Sequence, residues 1–275
     1  MAIVKTDDTH YKNIAAKIRE LSYIDMKFTP SQMPYGISHV YDSAYYNGEQ
    51  AGKKAEHEAF WDVYQKNGNR TDYSNAFGGQ GWKPDNFKPK YDIRPTNAYM
   101  MFRSFGFADD YSYKDFAKHL DDLGIVLDFS NCSNMQYAFQ IASMSRLGKV
   151  DLSNCTSTSN LFAYSTIYEI DEIVFSEITQ IDNIFMDCGS LEKVKFSGVI
   201  ASNGLNLQWS KNLDKASITS VVNVFSTTTS GLTATLSLTA VDKAFETSAG
   251  ANDGHESAEW LALKATRKNV TILLA

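Results

Sequence analysis

Leu127-Asp128-Phe129-Ser130-Asn131-Cys132 returns 23 residues later as Val150-Asp151-Leu152-Ser153-Asn154-Cys155. A degenerate third copy starts at Ile173-Val174-Phe175-Ser176, and Phe139, Phe162 and Phe185 keep the same step. A fixed period of this length predicts supersecondary units that stack and bury a shared apolar side, because one unit alone cannot hide its own. After Phe139 the apolar residues are Met144, Leu147, Val150 and Leu152, and after Phe162 they are Ile167, Ile170, Ile173 and Phe175 at the same offsets. The copy after Phe185 is two residues shorter, with Cys188, Leu191, Val194 and Phe196. Met101-Phe102 reads as an imperfect first copy, separated from the others by an insertion around Asp109 to Leu123. The pattern therefore predicts an α/β, leucine-rich-repeat-like solenoid with a period of about 23 over residues 98–200. Leu127, Phe129, Phe139, Val150, Leu152, Phe162, Phe175, Phe185 and Phe196 are expected inside it, with residues 128 and 151 on adjacent parallel strands. A solenoid offers a broad surface in place of a closed pocket, which favours binding over catalysis.

Working outward, residues 1–66 read as a helical segment. Ile14, Ile18 and Leu21 fall at helical spacing, and Thr29-Pro30 is an N-cap followed by proline at the first helical position. From about Ser38 to Gln65 a stripe of Tyr41, Ala44, Gly48, Ala51, Ala55 and Ala59 is either a close-packing stalk for self-association or a weak solvated helix. Glycine costs a helix about 1 kcal/mol unless packing demands it, so the two readings stay open. Residues 67–97 are rich in Gly, Pro and rings, a capping region packed by its own aromatics. Residues 201–275 read as an α/β C-terminal cap, with Asp214 opening a helix that carries Ile218, Val221, Val222 and Phe225 on one face.

The 275 residues are 43% hydrophobic and 21% charged with a net charge of −6, an ordinary globular balance. Lys and Arg are scattered and form no stripe, which argues against nucleic acid. No apolar run reaches membrane-spanning length, and residues 1–13 are polar, so neither membrane insertion nor a signal peptide is expected. Three cysteines make no disulfide framework; Cys132 and Cys155 share a repeat position and read as reduced, buried thiols rather than metal ligands. The five histidines show no metal-ligand spacing, no serine sits in a nucleophile elbow, and Asp109-Asp110 and Asp121-Asp122 read as solvated loop ends. No catalytic residue, metal or cofactor is expected, and the chain is not expected to be an enzyme.

Strand alternation points Val126, Lys149, Glu172 and Lys193 along one outward column. It points Asp128, Asp151, Val174 and Lys195 along a second, and Ser130, Ser153, Ser176 and Ser197 along a third. Lys149–Glu172–Lys193 is expected as a cross-strand ion ladder, each pair contributing roughly 0.2–1 kcal/mol. Asp128 above Asp151 stacks like charges. Either Lys149 and solvent relieve the pair, or it marks a site for a cation or a hydroxyl-rich ligand. The candidate ligand-binding set is Asp128, Ser130, Lys149, Asp151, Ser153, Glu172 and Lys195.

Phe185-Met186-Asp187-Cys188-Gly189-Ser190-Leu191-Glu192-Lys193-Val194-Lys195-Phe196 resembles the BspA-like leucine-rich repeat family in its Phe, Cys, Leu and hydrophobic strand spacing, although Ala142 and Ser165 replace the cysteine in the other copies. Met1-Ala2-Ile3-Val4-Lys5, Phe28-Thr29-Pro30-Ser31-Gln32-Met33, Phe60-Trp61-Asp62, Asn67-Gly68-Asn69-Arg70-Thr71, Phe87-Lys88-Pro89-Lys90-Tyr91 and Gly204-Leu205-Asn206-Leu207-Gln208-Trp209-Ser210 are similar to tail and tail-fibre proteins of phages and prophages of gut bacteria. The resemblance implies a virion tail protein, made in the host cytoplasm. Its N-terminal segment would contact other tail or baseplate proteins and hold a homo-oligomer, with a trimer favoured. Its repeats would bind a host surface glycan or protein without catalysis. The alternatives are a structural virion component packing against other tail proteins and a tail-borne glycan hydrolase, which needs two carboxylates across a groove.

Overall fold

The computed structural model describes residues 60–79, 82, 87–106, 115–177 and 179–275. The expected N-terminal helices, the small-residue stripe before residue 60 and the Asp109-Asp110 pair lie outside the described residues. A compact unit begins at Trp61 and runs to Ala275.

Within it the order is α1 (Phe116–Leu123), β1 (Arg146–Asp151), β2 (Glu169–Phe175), β3 (Lys193–Gly198), β4 (Leu205–Leu207), α2 (Lys215–Val224), β5 (Leu232–Leu236), α3 (Leu238–Phe245), a 3-10 turn (Gly254–Glu256), α4 (Ala258–Ala265) and β6 (Val270–Leu274). The strands form two separate three-stranded parallel sheets, β1-β2-β3 and β4-β5-β6. In the first, buried Leu147 faces Ile170 and buried Val150 faces Ile173, so each strand lays its inward apolar residues against those of the next. An irregularity between Ile170 and Ile173 shifts β3 by one residue against β2.

This architecture corrects the expected leucine-rich-repeat-like solenoid. The chain is mixed α/β, and among the described residues no helix lies between β1 and β2 or between β2 and β3. Asp128 is not on a strand neighbouring β1. Leu127 makes only an isolated bridge to Ile93 and is half-buried, although the other residues expected inside are buried. Residues 201–275 build a second sheet of their own.

What replaces the helices is a ladder of turns. Met135, Ala138, Phe139 and Ala142 point inward, as do Thr158, Leu161, Phe162 and Ser165, and Ile181, Ile184, Phe185 and Cys188. This spacing imitates a helix, but the hydrogen bonds do not. Ala138, Gln140 and Ala142 donate back three residues, to Met135, Tyr137 and Phe139. The alternate amides of Met135, Tyr137, Phe139 and Ile141 donate across to the carbonyls of Ser157, Ser159, Leu161 and Ala163 in the next turn segment. Two residues per segment take left-handed φ to make this possible: Tyr137 and Ile141, Asn160 and Tyr164, Asn183 and Asp187. The inward rings stack as a column. Phe102, Phe139, Phe162 and Phe185 follow one another at 5.1, 5.5 and 5.3 Å with planes tilted by 11 to 18°.

The aromatics of residues 67–97 do not pack only on themselves. Phe77 lies 5.2 Å from Phe102, and Phe87 lies 5.2 Å from Phe105 and 5.7 Å from Phe116 of α1. Fully buried Gln65 clamps this region: its Oε1 accepts from the amides of Lys90 and Tyr91, and its Nε2 donates to the Tyr91 carbonyl. A buried amide so satisfied carries no desolvation penalty left over.

The sheet edges are finished differently. At the outer edge of β3, the Val194 amide donates to Ser217 Oγ and the Phe196 amide to Ser220 Oγ, so serines of α2 stand where another strand would. Asp214 caps α2 by accepting from the Ser217 amide. At β6, Ala275 exchanges hydrogen bonds with Leu236 and Leu238. The two-residue alternation of a strand then turns the Ile272 and Leu274 backbone away from β5. Their side chains are half-buried and Leu273 is 51% exposed, an uncovered apolar edge.

Candidate functional site

The seven candidate residues lie along the first sheet and the turns entering it, where their charges are consumed locally. Asp128 Oδ1 accepts from the Ser130 amide at 2.9 Å, and Asp151 Oδ1 accepts from the Ser153 amide at 3.0 Å. Each aspartate thus closes a turn two residues on, which is why the Asp-x-Ser pair recurs. Asp128 Oδ2 also meets Arg94 at 2.5 Å. Lys149 does face Glu172 in register, but its ammonium goes to Asp151 at 3.3 Å. Glu172 pairs with Lys195 at 2.7 Å, and Lys193 approaches Glu169 at 3.9 Å. The expected Lys149–Glu172–Lys193 ladder is therefore corrected. The second column is corrected as well: Asp151 faces Val174, and Val174 faces Ser197 and not Lys195, because the strands keep the 23-residue step where the shorter third copy had suggested a smaller one.

The electrostatics follow from these contacts. The Ser130 amide holds the Asp128 carboxyl below the usual carboxylate range, helped by Arg94 and opposed by burial and by Asp151. For Asp151, burial is the largest single influence and pushes upward, but the Ser153 hydrogen bonds and Lys149 outweigh it. Because Asp128 ionises more readily in the fold than in the open chain, its contribution is full above the unfolded value near 3.9 and disappears as pH falls through the lower folded value. Asp128→Asn is expected to cost about 1 kcal/mol at pH 7. Urea denaturation should show that gap closing as the pH falls below about 4; a gap independent of pH would remove the carboxylate from the account.

Cys132, Cys155 and Cys188 are free and buried, with their Sγ atoms turned to the carbonyls of Asn134, Ser157 and Phe162 at 3.3, 3.3 and 2.9 Å. Burial pushes these thiols up to about 12, 11 and 12, so they stay protonated and unreactive. Among the described residues no cluster of three or more His, Cys, Asp and Glu side chains is placed to hold a metal ion, and no helix is long and apolar enough to cross a membrane. His255, one of the five histidines, lies in the 3-10 turn. Its Nδ1 lies 2.5 Å from Asp242 Oδ1, which also accepts the His255 amide. The other ring nitrogen lies 3.6 Å from Glu256 Oε1. Gly254 allows this turn, since any Cβ there would lie 2.4 Å from the Val241 carbonyl oxygen.

The sequence reading missed the outward face of the turn ladder. Tyr99, Met100, Gln136, Tyr137, Gln140, Asn160 and Tyr164 stand there, opposite the inward phenyl column. Tyr99 and Tyr137 meet edge-on at 6.0 Å, and Tyr164 is 44% exposed with its hydroxyl 3.6 Å from Met186 Sδ. Asn160, Asn183 and Asp187, residue types tolerant of left-handed φ at fixed steps, are the signal that distinguished turns from a helix here.

No protein-family model, curated protein or solved structure matches this chain.

Proposed function

We propose that the chain is a tail or tail-fibre type protein of a phage or prophage that binds a host cell surface and performs no chemistry there. The observation that carries this reading is the outward turn face, where Tyr164 is exposed among partly exposed tyrosines and amides while the acidic groups of the sheet face are spent on turns and ion pairs. The similarity of the N-terminal stretches to tail proteins supplies the context: location in the virion tail, attachment to other tail proteins through residues 1–66, and homo-oligomerisation. The test is saturable binding of the fluorescently labelled full chain to a panel of gut bacterial cells. Staining of particular strains is expected, and Asp128→Ala/Asp151→Ala should bind as well as the parent chain. Absence of staining on every strain removes the reading. Light scattering of the full chain is expected to give a trimer, and deletion of residues 1–60 a monomer; an unchanged state after deletion refutes the N-terminal association.

One observation favours a second reading, a structural tail component. The uncovered β6 edge, with Ile272 and Leu274 half-buried, is suited to packing against another protein. Incorporation of the chain into particles together with failure to stain cells selects this reading.

A further inference from the structure

We infer that the outward face of the turn ladder is a binding site for a neutral, hydroxyl-rich glycan, with Tyr137 and Tyr164 as its stacking platforms. The inference deepens the host-binding reading and rests on it.

Three observations converge on this face. The first is the rings. Tyr99 and Tyr137 are half-exposed and mutually edge-on, and Tyr164 is 44% exposed one turn segment along. A sugar ring presents a flat patch of C–H bonds to such a face, while a phenol hydroxyl can still reach a sugar oxygen. The second is the amides. The side chains of Gln136, Gln140, Asn160 and Asn183 make no hydrogen bond among the described residues, although each lies on or beside the turns that carry the rings. A carboxamide has both a donor and an acceptor, the pair that neighbouring sugar hydroxyls require. The third is charge. Asp182 and Asp187 are exposed at the far end of this face, which favours a neutral glycan over an anionic one.

The backbone bears on how the two rings can be tested. Tyr137 and Tyr164 hold φ of 58° and 60°, a conformation that large L-residues disfavour. The equivalent positions one segment along are Asn160 and Asp187, at 56° and 54°, which tolerate it better. The turn ladder sets this φ in every segment, so the tyrosines occupy positions that the fold, and not a ligand, holds left-handed. The same comparison supplies the test variants, because Tyr137→Asn and Tyr164→Asn introduce a residue type suited to the local backbone.

The full chain is applied to an array of bacterial surface polysaccharides, neutral and acidic, and to whole cells with and without protease treatment. Saturable binding to one or more neutral polysaccharides is expected. Tyr137→Asn and Tyr164→Asn should each weaken it at least tenfold while melting no lower than the parent chain, and Lys149→Ala/Lys195→Ala on the sheet face should leave it unchanged. Glycan binding that survives both tyrosine changes overturns the site. Cell staining that protease abolishes, with no polysaccharide bound, makes the ligand a protein and overturns the glycan inference while the host-binding reading stands. Absence of both staining and glycan binding overturns both.

Discussion

Phe162→Ala should lower the unfolding free energy by about 4 kcal/mol, the range for emptying a fully packed phenyl site. Phe162 is 1% exposed and lies between Phe139 at 5.5 Å and Phe185 at 5.3 Å, with planes tilted by 18 and 16°. Its amide also donates to the Ile184 carbonyl, so the ring sits on a backbone already tied to the next turn segment and has little room to collapse into the gap. Because Phe139 loses a stacking partner in the same event, Phe139→Ala in the Phe162→Ala background should cost less than Phe139→Ala alone. Urea denaturation of the four chains measures both quantities. A loss under about 1 kcal/mol for Phe162→Ala would mean that the column is not the core.

Gly198→Ala is the other large effect. Gly198 ends β3 at φ 79°, and a Cβ there would lie 2.0 Å from the Phe175 carbonyl oxygen and 3.0 Å from the Phe175 nitrogen and carbonyl carbon. The obstacle is backbone of the neighbouring strand, so no side-chain rotation relieves it. Left-handed φ and a strand displacement together should cost about 3 kcal/mol. Gly231 provides the control: its φ is 74° but nothing lies within 4 Å of a Cβ built there. Gly231→Ala should therefore cost only about 1 kcal/mol, the conformational part. Equal losses for the two variants would show that the close approach to Phe175 is unimportant.

The sequence carried a good part of this. The offset that aligns Asp128-x-Ser130 with Asp151-x-Ser153 reappears in the register that sets Arg146 against Glu169, and alternation of apolar residues placed Leu147, Val150, Ile170 and Ile173 inside. It misled where two structures share one pattern. Met135, Ala138, Phe139 and Ala142 have helical spacing, yet a run of turns with left-handed residues at Tyr137 and Ile141 also brings them to one side. Periodicity records which residues face inward and not which hydrogen bonds hold them. The expected ion ladder failed in the same way. Alternation put Lys149 and Glu172 side by side correctly, but long side chains choose partners by reach, and Asp151 and Lys195 were within it. The shorter third copy suggested a reduced step, but the missing residues lie outside the strands, and Val174 pairs with Ser197 at the full 23-residue step.

The serines at the edge of β3 have a consequence for the order in which this molecule opens. The Val194 and Phe196 amides are held by Ser217 and Ser220, so their protection from solvent depends on α2 being docked and not on any strand being paired. Undocking α2 exposes both amides while β1, β2 and β3 remain hydrogen-bonded to one another. In hydrogen exchange these two amides should therefore report on a partial opening that involves α2, at a lower free energy than the amides between β1 and β2. The first sheet would then outlive its own edge, and the helix would act as a removable seal over it.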